Sequence, residues 1–175
     1  MPQDLSAIDS TARQAGVSNL GVVITQHVSF AYYGTWGRYL LEAETLGQSL
    51  ARFGAAIPMH ASYSTYSVEQ EACLAWIRYR FAVSPQDGKA SVTFPGAGIL
   101  IDLVRQYTGL NWMPQVINFD ILRPPSIADI KFYNRLTAPL FGPRTLQSCF
   151  PARCRAITET GIKPSGYRPM TDFTP

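Results

Sequence analysis

The feature that most constrains this chain is Thr45-Leu46-Gly47-Gln48, placed directly before an apolar stripe. A threonine followed three residues later by glutamine forms a capping box, in which side chains satisfy the unpaired donors of a helix's first turn. Leu46, Leu50 and Phe53 then recur at helical spacing, giving one apolar face. The spacing predicts a helix beginning at Thr45 and ending at Pro58, whose ring and missing N–H break helical bonding. A helix with one apolar face must bury it against another element.

The next segments supply that partner. Residues 62–70 (SYSTYSVEQ) and 72–82 (ACLAWIRYRFA) are rich in Tyr, Thr, Val, Trp and Phe, residues that fit a half-buried pleated surface. They read as two strands joined by a polar turn around Glu69–Glu71. Alternation puts Cys73, Ala75, Ile77, Tyr79 and Phe81 on the core face. Leu74, Trp76, Arg78 and Arg80 fall on an amphipathic, partly wet face.

Elsewhere the signals vary in strength. Residues 4–15 predict a short helix capped by Asp4 or Ser6 and stopped at Gly16. Residues 19–41 stay ambiguous between strand, favoured by Val22-Val23-Ile24, and buried helix, favoured by length. Residues 84–92 read as loop, and Ile99, Leu100, Leu103, Val104 and Tyr107 as a helix over 96–108 ending at Gly109. Alternation from Val116 to Ile121 predicts a strand closed by Pro124 and Pro125, with Ser126 capping a helix over 127–141. Past Gly142 the pattern decays, and 145–150 and 155–159 could form short strands. This order lacks the regular alternation of a doubly wound sheet. The reading is α+β, an antiparallel sheet packed against several helices in a single domain. Residues 1–142 form the domain, and 143–175 its degenerate end and tail.

With 46 % hydrophobic and 15 % charged residues, the composition is that of a globular chain. A net charge of +3 without a Lys/Arg stripe gives no nucleic-acid footprint. Arg144, Arg153, Arg155, Lys163 and Arg168 read as solvent-facing charges of the last quarter. The first residues have neither the basic nor the apolar region of a secretory signal, and the apolar stretches are too short to span a bilayer. With three cysteines and no export signal, a cytoplasmic location is expected.

Few residues point to chemistry. His27 and His60 each lack a ligand partner at metal-binding spacing, so no metal is expected, and His60 reads as a loop or cap residue. Cys149 and Cys154 do not match a zinc spacing. Arg153 and Arg155 leave a redox-sensing thiol at Cys154 as the alternative to an idle surface thiol. Nucleophile and phosphate-loop motifs are missing, and Gly96 and Gly98 do not complete a dinucleotide turn. Neither a catalytic set nor a cofactor is expected. Tyr32, Tyr33, Trp36, Tyr63, Tyr66, Trp76 and Tyr79 form an aromatic-rich band. They read either as ordinary core or as walls of an apolar pocket with polar tips.

Residues 37–81 resemble the N-terminal, arabinose-binding-like domain of AraC/XylS-type transcription regulators. The resemblance rests on Thr45-Leu46-Gly47-Gln48-Ser49-Leu50, Ile57-Pro58-Met59-His60 and Ile77-Arg78-Tyr79-Arg80-Phe81. It continues through the helix 99–109, the strand marked by Trp112, Pro114, Ile117 and Phe119, and Leu140-Phe141-Gly142. It covers about residues 16–142. Residues 143–160 depart from the family's strand pattern, which motivates a reading-frame change after about 142, although Gly161-Ile162-Lys163-Pro164 is similar to the usual closing turn.

The resemblance implies an effector-sensing domain lacking its own helix-turn-helix, with a partly apolar small molecule as ligand. A homodimer or a full-length regulator is the expected protein partner. The implied pocket lies between the capped helix and the hairpin, with Tyr33, Trp36, Phe53, His60, Trp76 and Tyr79 as wall residues. The alternatives are a stand-alone interaction module, using an exposed Leu74/Trp76 face, and a truncated remnant.

Overall fold

The computed structural model describes residues 5–17, 19–25, 27–71, 74–82, 88–121, 139–141 and 146–151. Helix α1 (Leu5–Gln14) ends as its sequence predicts. Gly16 takes φ 80°, its N–H donates to Arg13 O at 3.0 Å, and the Val17 N–H reaches Ala12 O at 2.9 Å. This pair of bonds is a Schellman closure, which favours glycine at the left-handed position. The expected cap at Asp4 or Ser6 lies outside the described side chains.

The ambiguous stretch is helical. It folds as α2 (Leu20–Thr25), a 3-10 turn over Phe30–Tyr33, and α3 (Gly34–Leu41). The β-branched run Val22-Val23-Ile24 is helical because tertiary packing outweighs a weak intrinsic preference. Val22 is buried while Val23 and Ile24 stay largely exposed.

Helix α4 (Leu46–His60) starts with the expected Thr45 cap, though the return bond to Gln48 comes from Glu44, one residue before the cap. Gln48 N–H donates to Thr45 Oγ1 at 3.2 Å, and Glu44 N–H donates to Gln48 Oε1 at 3.0 Å. Its end differs from expectation. The helix runs through Pro58 to His60, and Ala61 N–H donates to Ile57 O at 2.8 Å. Pro58 sits in the last turn, where the one bond it forgoes, to Gly54 O, does not stop the following N–H groups from bonding back.

Strands β1 (Thr65–Glu71) and β2 (Leu74–Arg80) pair antiparallel, with Tyr66 opposite Tyr79 and Val68 opposite Ile77. The turn is not at Glu69–Glu71, because Glu69 and Glu71 are strand residues paired with Trp76 and Leu74. The alternation holds: Ala75, Ile77 and Tyr79 are buried, and Leu74, Trp76 and Arg78 are half-buried.

Helix α5 (Lys89–Thr108) is the central element and is longer than predicted. It begins seven residues earlier, inside the segment read as loop, and carries Pro95 in its second turn. The polar run Lys89-Ala90-Ser91 hid its start, and Gly88, at φ 75°, supplies no side-chain cap for a sequence pattern to find. Its two glycines serve close packing. A Cβ on Gly98 would sit 2.7 Å from Thr25 Cγ2, and one on Gly96 would strike the Phe81 ring.

Strand β3 (Val116–Phe119) forms where predicted. The predicted helix 127–141 is corrected at its end, where Pro139–Phe141 is strand β4, parallel to β3; residues 127–138 of it lie outside the described residues. Strand β5 (Leu146–Pro151) pairs antiparallel with both β2 and β3. The sheet order is β1-β2-β5-β3-β4. Thus the α+β architecture holds, with one parallel pair in an otherwise antiparallel sheet. A strand beyond residue 142 occupies the middle of that sheet.

One apolar cluster joins these layers. Leu46, Leu50, Phe53 and Ile57 of α4 share it with Ala75, Ile77 and Tyr79 of β2. Leu100, Ile101, Leu103, Val104 and Tyr107 of α5 join from the far side. Phe94 and Phe119 meet at 4.9 Å between ring centroids. Lys89 pairs with Asp120 at 2.6 Å, tying the start of α5 to the end of β3.

Candidate functional site

Tyr33, Trp36, Tyr66 and Tyr79 of the expected aromatic band join one connected group along α4, whereas Tyr32 and Tyr63 are exposed. Phe30, held at the head of the 3-10 turn, packs on Trp36 at 5.6 Å and on Phe53 at 6.2 Å. Trp36 stacks on His60, with centroids 4.5 Å apart and planes 16° from parallel, and lies 5.5 Å from Phe53. Tyr33 meets Trp36 at 5.1 Å and His60 at 5.8 Å. Phe53 then contacts Tyr66 at 4.9 Å and Tyr79 at 6.1 Å, and Tyr79 contacts Phe81 at 4.3 Å.

Five of the six expected wall residues therefore belong to this group: Tyr33, Trp36, Phe53, His60 and Tyr79. Trp76 does not. It lies on the opposite face of β2, next to Arg78, whose guanidinium carbon is 5.9 Å from its ring centre. Strand alternation separates it from Tyr79, and the pattern itself gave that signal. The expected exposure of the Leu74/Trp76 face is also corrected, since both side chains are half-buried. His60 is the last helical residue of α4 and stacks on Trp36 instead of lining a loop. Phe30, an aromatic outside the expected band, is fully buried at the head of the group.

Polar atoms in the group are unevenly served. Among the described residues, Trp36 Nε1 and Tyr66 Oη are buried without a hydrogen-bond partner. Leaving such a donor unpaired costs about 1–3 kcal/mol. Burial raises the hydroxyl pKa of Tyr66 well above the usual tyrosine value, and raises those of Tyr33 and Tyr79 as well. For Tyr79 a hydrogen bond with Ser64 opposes the effect of burial, and the nearby Tyr33 adds to it.

A groove of about 380 Å³ opens beside this group, between α4 and β1. Gly47, Leu50, Ala51, Tyr66, Ser67 and Val68 line it. It occupies the expected position between the capped helix and the hairpin, yet none of the six expected wall residues touches it. Tyr66 alone belongs to both groove and aromatic group. Its ring packs closely on α4 at Gly54, where a Cβ would be 2.8 Å from Tyr66 Cδ1.

Among the described residues no cluster of His, Cys, Asp and Glu could hold a metal ion. His27 and His60 are both exposed. Cys149 lies on β5 in register with Trp76 and Val116; Cys154 and the basic residues from Arg144 onward lie outside the described residues. No helix of the described residues is long and apolar enough to cross a membrane.

This arrangement, a mixed sheet with helices built around a capped helix and its hairpin, is a fold found in another solved structure. The transcriptional regulator CdpR from Pseudomonas aeruginosa shares it with a TM-score of 0.57 over 76 % of this chain, at 15 % sequence identity. At that identity the likeness concerns the fold alone, and the chain spans 43 % of the CdpR chain. The family model for the N-terminal arabinose-binding domain of AraC transcription regulators matches residues 2–154, and the chain belongs to that family. The match passes the boundary expected at residue 142 and takes in β5. No curated protein matches the sequence.

Proposed function

We propose that the chain is the effector-sensing domain of an AraC-type transcription regulator, acting in the cytoplasm without catalysing a reaction. The sensing unit in this reading extends at least through β5. The observation that carries it is the aromatic group itself. It spans the 3-10 turn, α3, α4 and the hairpin, and contains two buried donors, Trp36 Nε1 and Tyr66 Oη, that lack partners among the described residues. Small-molecule sites combine apolar walls with a few placed polar groups. A ligand that binds one arrangement of these four elements better than another shifts the population between them, and the shift is passed to whatever the domain contacts, a second copy or a full-length regulator.

A thermal-shift screen of metabolites, followed by titration of each hit into wild-type protein and Trp36→Ala, tests this reading. Effector affinity is expected to fall at least about tenfold in the variant, equivalent to losing one buried contact of about 1.4 kcal/mol. Unchanged affinity in a folded Trp36→Ala protein removes Trp36 from the site. The competing reading, a stand-alone module docking through Leu74 and Trp76, has less support, because both side chains are already half-buried in the sheet.

A further inference from the structure

We infer that the groove between α4 and β1 is the entry site for an uncharged, mainly apolar small molecule with one carbonyl-type acceptor, and not for a sugar. The inference rests on the sensing role proposed above and names its ligand class. Three observations carry it.

The first is the lining. Leu50, Ala51, Val68 and the Tyr66 ring present carbon to the groove, and none of its six residues carries a charge. An anionic or cationic ligand seated there would lose hydration without gaining a partner. The second is the supply of polar groups. Only Ser67 and Tyr66 bring hydroxyls, and the Ser67 hydroxyl is turned to Glu69 Oε1 at 3.4 Å. A pentose needs a partner for each of several hydroxyls, and every one left unpaired on burial costs free energy. The family's name therefore does not describe what this groove can hold.

The third observation is Tyr66. Tyr66 lines the groove, while its hydroxyl is shut off from solvent and has no hydrogen-bond partner among the described residues. A ligand that enters past the Tyr66 ring and uncovers this hydroxyl with a ketone, ester or lactone oxygen accepts the proton that the described residues leave unused. The groove's volume of about 380 Å³ falls within the roughly 300–1,000 Å³ of small-molecule sites. Strand β1 is an edge of the sheet, so the groove's outer side is bordered by a strand that pairs on one side only. Ligand seating there bears directly on the packing of the hairpin against α4.

The test is an amide-detected NMR titration of the full chain with three probes: 2-undecanone, decanoate and L-arabinose. The ketone is expected to shift amides of residues 47–51 and 66–68. Ala51→Trp, which fills the groove from an exposed position, is expected to abolish those shifts. Tyr66→Phe is expected to weaken ketone binding about tenfold while leaving the melting temperature of the free protein unchanged or higher, because it removes an unpaired donor. Absence of ketone shifts at the groove overturns the inference, as does ketone binding indifferent to both variants, or decanoate or L-arabinose binding there as tightly. If a screened metabolite binds elsewhere on the domain while the ketone does not bind, the ligand class fails and the sensing role stands. If no metabolite binds the folded domain at all, the sensing role itself falls.

Discussion

The carboxylate of Asp102, on α5, accepts the backbone N–H of Phe30 at 2.9 Å and the hydroxyl of Ser29 at 3.0 Å, both on Oδ2. Ser29 Oγ in turn accepts the Ala31 N–H at 3.3 Å. One acidic side chain, more than 70 residues away in sequence, thereby caps the 3-10 turn from which the aromatic group begins. Hydrogen bonds to a charged acceptor contribute about 1.5–3 kcal/mol. Asp102→Ala is expected to lower unfolding free energy by that amount in urea titrations followed by Trp fluorescence. Asp102→Asn, which can still accept through its amide oxygen, is expected to lose roughly half as much.

The end of α3 is held in a similar way. Tyr107 Oη donates toward the carbonyls of Leu40, at 3.0 Å, and Ala43, at 3.1 Å, while Ser49 Oγ donates to the same Leu40 carbonyl at 2.9 Å. Tyr107→Phe and Ser49→Ala are each expected to cost about 1 kcal/mol, the net value of one ordinary hydrogen bond. Both side-chain donors serve Leu40 O, which also accepts the Ala43 N–H at 3.3 Å, so each single variant removes one side-chain donor and the double variant removes both. The double loss is expected to exceed the sum of the single losses in a double-mutant cycle. Strict additivity would mean that the two bonds do not share their acceptor in solution.

These two relationships show where the sequence is legible and where it is not. Thr45, Gln48, Leu46, Leu50 and Phe53 announce α4 because cap and stripe act within a few residues of one another. The alternation from Ala75 to Phe81 announces β2 and its buried face for the same reason, and it separates Trp76 from Tyr79. The start of α5 is not announced, because Gly88 caps through backbone conformation and not through a side chain. Strand β4 carries three residues, Pro139–Phe141, too short for any period to register. β5 owes its central place to pairing with β2 and β3, partners its own sequence does not reveal. Of the site, the aromatic group was readable as a band of residue types. The groove was not, since Gly47, Ala51 and Ser67 become a surface only when α4 lies across β1.

The contact between α2 and α5 offers a separate test. A Cβ on Gly21 would sit 2.5 Å from Ala90 O and 2.8 Å from Ser91 Cα, both backbone atoms of α5. Backbone in a packed helix cannot retreat as a side-chain tip can. Gly21→Ala is therefore expected to destabilise by about 1–3 kcal/mol, as overpacked sites do, although alanine is intrinsically the better helix former by about 1 kcal/mol. Gly96→Ala meets only the far end of the Phe81 side chain, which can rotate, so its loss should be smaller. Thermal unfolding of the two variants side by side checks the order, and a Gly21→Ala protein as stable as wild type would show that α2 does not pack this closely.

Alkaline pH probes the aromatic group without any substitution. Burial raises the Tyr66 hydroxyl pKa in the folded chain above its ordinary value of 10.0, and raises those of Tyr33, Tyr79 and Tyr107 in the same direction. For a group that is neutral when protonated, a raised folded-state pKa means that the unfolded chain releases its proton first. Stability from this source is therefore complete below about pH 10 and falls as pH climbs from there toward the folded-state value. Tyr66 alone should remove about 1.4 kcal/mol per pH unit across that window; Tyr79 and Tyr107, where a hydrogen bond opposes the effect of burial, add less. Urea midpoints measured from pH 8 to 11 are expected to be flat and then to drop. Tyr66→Phe should flatten the drop, and a wild-type curve no steeper than that of the variant would place the Tyr66 hydroxyl in water.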